Sequence, residues 1–305
     1  MSVSLFIASV LTQTAPILLA ALAAMFTQRA NILNVAVEGM MLAAAMAAIA
    51  VGDVTGSVGM AILAGVACAT ALATVFAFVS IVLRADFIVA GLGVNLLAAG
   101  GTLFILEEVY QNPGGLRPDT FPEIWALRGD WLNAIPIFGP ALQGASVIVL
   151  FSLVLVPLSW VFLYRTPLGY ALRVSGEDEH AARAAGIRVP RLKFLAVVLS
   201  GLIAGLAGSE LSMDRLHFFL PNMTSGIGFI GLSAMLFGAG TPWRTAFAAF
   251  LFGVAEAAGD RLQSFQVAPE IVLMTPYLAA ILGLVFARSR IVASARPAKL
   301  EGSAP

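Results

Sequence analysis

The chain has 305 residues, of which 60% are hydrophobic and only 11% charged. A soluble domain carries roughly 25% charged residues, so lipid rather than water must surround most of this surface, and a water-soluble fold is excluded. Seventeen basic and seventeen acidic residues cancel, which leaves no overall basic field and argues against nucleic acid as a partner.

A span of a bilayer needs roughly 20 apolar residues. The first apolar run, 3–27, has no basic segment ahead of it and is too long for the core of a signal peptide. It is expected to be a span rather than a cleaved leader. Further spans are expected near 32–51, 57–83, 86–106, 143–164 and 194–213. Two shorter pieces near 227–238 and 245–259 have the length of half-helices, which membrane depth tolerates only where protein or a cavity surrounds them. A last span is expected near 269–287. The fold class is therefore all-α, a polytopic transmembrane helical bundle of about eight or nine spans including short half-helices. A faint echo between 37–48 (VEGMMLAAAMAA) and 228–239 (GFIGLSAMLFGA), each opening a membrane segment, is what pseudo-repeated halves would leave. Gly201, Gly205 and Gly208, and again Gly91, Gly93, Gly100 and Gly101, are read as packing positions that let helices approach closely. The single cysteine, Cys68, rules out an intrachain disulfide framework and a CxxC metal site, and no metal or cofactor is expected.

Lys and Arg in short loops set orientation. The segment 165–193 carries Arg165, Arg173, Arg183, Arg188, Arg191 and Lys193, and the tail 288–305 carries Arg288, Arg290, Arg296 and Lys299. Both are expected in the cytoplasm, with Arg29, Arg84 and Arg244 marking other cytoplasmic turns. The segment 107–139 holds five acids, Glu107, Glu108, Asp119, Glu123 and Asp130, against Arg117 and Arg128. It is expected outside, with Trp125 and Trp131 at the interface. These assignments alternate with the N-terminus outside and the C-terminus in the cytoplasm.

The segment GEDEHAARAAGIRVPRLK, 176–193, reads as a short amphipathic helix. Three acids, Glu177, Asp178 and Glu179, suit the positive end of a helix dipole. Gly186 suits its stop and Pro190 blocks continuation. A helix this short needs a partner surface to be stable. On the residues alone, a docking element and a solvated basic loop remain equal readings.

From Leu172 to Gly208 the sequence LRVSGEDEHAARAAGIRVPRLKFLAVVLSGLIAGLAG resembles the coupling-loop region of ABC importer permeases, in the branch that serves branched-chain amino acids, simple sugars and nucleosides. NILNVAVEGMML (31–42) is similar to the second span of that family. GIGFIGLSAMLFGAGTP (226–242) is similar to its late Gly-rich hairpin, and TPYL (275–278) to the last span of the nucleoside-type members. The resemblance implies a single permease domain over 1–305 and four kinds of partner: a cytoplasmic ATP-binding-cassette ATPase, a second permease subunit, an extracytoplasmic substrate-binding protein and the bilayer of a bacterial plasma membrane. It implies that Glu177, Glu179, Ala182, Arg183 and Gly186 grip the ATPase. No GxxxxGK[ST] sequence is present, so ATP hydrolysis is expected on another chain and no catalytic residue is expected here.

A carboxylate in hydrocarbon costs at least about 2.5–3.5 kcal/mol, so polar residues in spans tend to face a bundle interior or a cavity. Asn34 and Glu38, four apart, are expected on one helix face, and with Asn95 and Glu256 are candidates to line a pathway or subunit interface. The competing reading makes them helix caps or structural contacts, with Glu256 and Asp260 meeting Arg215 or Arg261. A secondary transporter using Glu38, Glu210 and Glu256 as a proton relay is the other functional class. Within the family resemblance, NVAVEGMML and TPYL imply nucleosides as the expected solute, with simple sugars next and branched-chain amino acids third.

Overall fold

The computed structural model describes residues 3–118, 124–127, 129 and 142–263. The expected span 269–287, the tail 288–305, TPYL and Trp131 lie outside the described residues. Ten helices are present among those described, and no β-strand. Six are long and apolar enough to cross a membrane.

Helix α1 (Val3–Gln28) leads through a non-helical segment, 29–36, into α2 (Val37–Thr55), which ends on the left-handed Gly56. Ser57 caps α3 (Val58–Ala77), which runs on through a π-helical turn, Phe78–Val82. Asp86 accepts from the free amides of Ile88 and Val89 and so starts α4 (Phe87–Glu108). Ser146 starts α5 (Val147–Arg165). Two short helices follow, α6 (Pro167–Glu177) and α7 (Glu179–Ala184). Then come α8 (Val189–Glu210) with a π-helical extension, Leu211–Leu216, the short α9 (Ile227–Phe237) and α10 (Pro242–Gln263).

Three expectations change. The piece expected near 245–259 is the full-length α10 of 22 residues, because Arg244 and Asp260 lie near the ends of the helix and not at its breaks. The segment 165–193 is not a loop around one helix but two capped helices. Thr166 caps α6, with Pro167 in its first turn, and Asp178 caps α7. Pro190 sits in the first turn of α8, where its missing amide costs nothing, so it opens a helix as well as ending a connection.

Lipid exposure sorts the helices. Most of α1, α2 and α8 is buried, whereas α3 and α4 expose Leu63, Leu96 and Phe104 on their outer flanks. Small residues on α8 make the central contacts. A methyl added at Gly208 would lie 2.1 Å from the Met41 carbonyl oxygen, and one at Gly201 would lie 2.4 Å from Ala73 Cβ. The α4 glycines divide: Gly91 packs on Val35 and Ala36, while Gly93, Gly100 and Gly101 meet nothing within 4 Å among the described residues.

The charges gather at the two ends. Arg29, Arg84, Tyr164, Arg173, Glu179, Arg183 and Lys193 group at one end, through the Arg29–Tyr164 bond, the Arg173–Tyr164 ring contact and a shared cleft. Near the other end the loop after α4 pairs Leu116 with Phe219, and Arg117 lies over the Phe218 ring.

Candidate functional site

Two helices begin inside the bundle rather than at its ends. Asn95 lies about 12 Å along α4 from Phe87, and Ser200 about 16 Å along α8, at 1.5 Å per residue. Both meet the segment ahead of α2, so α2 starts partway along α4 and α8 rather than level with their ends. Asn34 Nδ2 donates to Ser200 Oγ at 3.0 Å, while its Oδ1 accepts from the Ala36 amide. Asn95 Nδ2 donates to the Val35 carbonyl at 3.1 Å, and its Oδ1 accepts from the Gly39 amide at 2.8 Å. Gly39 is the third residue of α2, so its amide has no partner within the helix. Asn95 supplies from a neighbouring helix the cap that Ala36 cannot.

Glu38 does the same for α9. Its two carboxylate oxygens accept from the amides of Gly226, at 2.8 Å, and Gly228, at 2.7 Å. The left-handed Gly226 turns these amides toward it, and Gly228 allows the contact, since a Cβ there would lie 2.7 Å from Glu38 Cα. A carboxylate at a helix N-terminus is favoured by the free amides and by the dipole together. Asn34 and Glu38 thus do not share a helix face. Helix α2 begins only at Val37, so Asn34 lies in the preceding turn and points to α8 while Glu38 points to α9.

The far end of α9 is held by Arg29. Its Nε donates to the Gly240 carbonyl at 2.6 Å, and its Nη2 reaches Ala239 O at 3.5 Å and Tyr164 Oη at 3.3 Å. A cation at a helix C-terminus again matches the dipole. From the sequence Arg29 was expected only to mark a cytoplasmic turn. Its spacing of nine from Glu38 carries the signal only once the length of α9 is known.

Glu256 on α10 stands 3.9 Å from the Arg215 guanidinium, and Asp260 accepts from Gln13 Nε2 of α1. Glu210 is fully buried, and neither carboxylate oxygen has a hydrogen-bond partner among the described residues. Among the described residues no direct hydrogen bond joins Glu38, Glu210 and Glu256.

At the basic end α7 lies between α6 and α8, with most of its residues exposed. Asp178 Oδ1 accepts from the His180 and Ala181 amides, both at 2.9 Å. Glu179 pairs with Arg183 one turn on, and with Lys193 at 2.8 Å. Lys193, hydrogen-bonded to the carboxylate, holds the Glu179 pKa below the ordinary glutamate value; burial opposes this, and Arg183 adds to the lowering. Ala182 is buried and fixes α7 to the bundle, whereas His180, Ala181, Arg183, Ala184 and Ala185 are exposed. Gly186, at φ +78°, ends the helix in the left-handed region. Glu177 does not open this helix: it is the last residue of α6, exposed beside Asp178.

A family described as the branched-chain amino acid transport system / permease component matches residues 6–292 of the chain. The chain belongs to this permease family. Among its relatives, the putative glucose ABC transporter permease protein TsgC13 of Haloferax volcanii is 34% identical, over 93% of this chain and 92% of its own length. The guanosine ABC transporter permease protein NupQ of Bacillus subtilis is 31% identical, over 92% and 91%. The nucleoside ABC transporter permease protein NupC of Lactococcus lactis is 28% identical, over 96% and 95%. No solved structure matches. The chain is an ABC importer permease, a multi-pass membrane subunit of a transport system.

Proposed function

We propose that this permease moves nucleosides inward across a bacterial plasma membrane, driven by an ATPase that docks on α6 and α7. The observation that carries the ATPase reading is the geometry of α7. It is capped at both ends, tied down through buried Ala182 and the Glu179–Lys193 pair, and exposed along Ala181, Ala184 and Ala185. Small side chains on an exposed, capped helix suit insertion into a groove. The concentration of Lys and Arg at this end supports placing it in the cytoplasm and the loop after α4 outside. Full-length similarity to a guanosine and a nucleoside permease supports the solute class. The Haloferax volcanii relative named for glucose favours simple sugars as a second reading. A second guanosine permease of Bacillus subtilis, NupP, is also a relative, which supports pairing with a second permease chain. An extracytoplasmic binding protein delivers the solute.

Purified complex in proteoliposomes, with the binding protein outside and ATP inside, tests this reading. ATP-dependent uptake of labelled guanosine or adenosine, with glucose and leucine not taken up, is the expected result. Uptake of glucose alone would transfer the chain to the sugar carriers. Uptake driven by a proton gradient without nucleotide would overturn the ATPase reading itself.

A further inference from the structure

The ten residues Arg29–Glu38 run beside α9 and hold both of its ends. Helix α9 has 11 residues and is about 16 Å long, half the hydrocarbon thickness. A helix this short is marginal alone, and its end groups lie in or beside the membrane. The structure satisfies them with opposite charges from one connection. The Glu38 carboxylate takes the amides at its start, and the Arg29 guanidinium takes the carbonyls beyond its end. Along the way Gly231 brings α9 onto α1, where a Cβ would lie 2.5 Å from Ala20 Cβ. The connection and the half-helix are therefore a single unit.

This unit also touches the element read above as the ATPase dock. Gly176, near the end of α6, lies directly on the turn after α1: a Cβ there would be 2.2 Å from the Arg29 carbonyl oxygen and 3.1 Å from the Asn31 amide. Backbone meets backbone with no side chain between to absorb a shift. The later part of the connection is fixed elsewhere, by Asn34 to α8 and by Asn95 to α4. Its start thus contacts the docking helices, and its later part sits at the break before α2.

Resting on the permease reading, we propose that residues 29–38 form a clasp that carries movement of α6 and α7 to α9, with Arg29 as the positioning residue. Displacement at Gly176 moves the Arg29 turn, and the Arg29 fork draws the Gly238–Gly240 end of α9 with it. The Glu38 end, fixed to α2, acts as the pivot. Arginine is required because one planar group must serve the Gly240 carbonyl through Nε and the Ala239 carbonyl through Nη2, which a lysine ammonium cannot do in that geometry.

Arg29→Lys and Gly176→Ala test the clasp from its two sides, in the assembled complex with its ATPase, second permease and binding protein. Exposed Arg244, at the same end but outside the clasp, provides the control substitution Arg244→Gln. Two quantities are read: solute moved per ATP hydrolysed, and hydrogen exchange in 226–240 with and without a non-hydrolysable ATP analogue. In the wild type the analogue should change exchange both in 176–186 and in 226–240. In Arg29→Lys the change in 176–186 should remain and that in 226–240 should vanish, with the solute-to-ATP ratio falling at least about tenfold and ATPase activity kept within twofold. A wild-type ratio and response in both variants would overturn the clasp while leaving the permease reading intact. Loss of assembly and ATPase in proportion to uptake in both would equally overturn it, reducing Arg29 to a folding contact. A wild-type complex that neither binds an ATPase nor transports would remove the functional reading and the clasp together.

Discussion

Replacing Glu38 by glutamine isolates the cap on α9. The carboxylate accepts two amides, at 2.8 and 2.7 Å, one on each oxygen. The amide side chain keeps one acceptor and turns its NH2 toward the other donor, so one backbone N–H is left without a partner in a buried site. An unsatisfied buried donor costs about 1–3 kcal/mol. Losing the charge at a helix N-terminus adds about 0.3–1 kcal/mol, and up to about 2 in partly buried positions. Together these come to about 3 kcal/mol, or about a hundredfold in local opening at 1.4 kcal/mol per factor of ten. Hydrogen exchange followed by mass spectrometry should show the amides of 226–230 opening faster by that factor, with α2 itself nearly unchanged because Asn95 still caps it. Uptake should fall while the complex remains assembled. Exchange in 226–230 within about threefold of the wild type would refute the cap, since the hydrogen-bond term alone predicts more than that.

Three further outcomes are expected. Gly186→Val should release the ATPase in detergent: with φ at +78° and nothing within 4 Å of a Cβ, its cost is conformational, about 1–2 kcal/mol, and Gly186→Asn should be milder because asparagine tolerates the left-handed region. Co-purification of the ATPase reads the difference, and equal retention in both variants would refute it. The Glu179–Lys193 pair, partly exposed, contributes about 0.2–1 kcal/mol. Because the folded pKa of Glu179 is depressed, that stability is present above the ordinary glutamate value near about 4.3 and is lost as pH falls through the lower folded value, so exchange in 179–193 should be flat across neutral pH and rise only in acid. In a Cys68→Ala background, a membrane-impermeant thiol reagent should label Pro113→Cys but not His180→Cys in intact cells. Gly115 is unsuitable as a probe, since a Cβ there would lie 2.5 Å from the Phe219 carbonyl oxygen.

The bundle was legible from the sequence because hydropathy depends on local composition alone. Six long apolar runs became six long helices, with ends displaced by a few residues where Ser57, Asp86 and Ser146 cap them. The short length of α9 was also legible, set by Gly226 at one end and Gly238–Gly240 at the other. What could not be read was the break before α2. Residues 32–36, ILNVA, are as apolar as a helix start, and only Asn34 bonding its own Ala36 amide and Asn95 reaching in from α4 favour the turn. A tertiary contact 60 residues away decides that local structure. The division of 167–184 into two helices was hidden for a different reason. The acids Glu177, Asp178 and Glu179 all suit a helix start, and which of them caps is settled by Thr166 and Pro167 having already begun another helix upstream.

These bonds bear on where a solute can pass. A polar side chain inside a span is usually suspected of touching cargo, because hydrocarbon gives it no other use. Here Asn34, Asn95 and Glu38 each spend their polar atoms on backbone groups or on Ser200, at breaks where those groups would otherwise be bare in the membrane. Glu256 has Arg215. A solute competing for Glu38 would have to uncap α9, and one competing for Asn95 would uncap α2. Substitutions at these positions should therefore act through helix position, lowering the turnover of uptake with little change in the solute concentration that half-saturates it. A large rise in that half-saturating concentration for Glu38→Gln or Asn95→Ala, with turnover preserved, would instead put these side chains in direct contact with the solute.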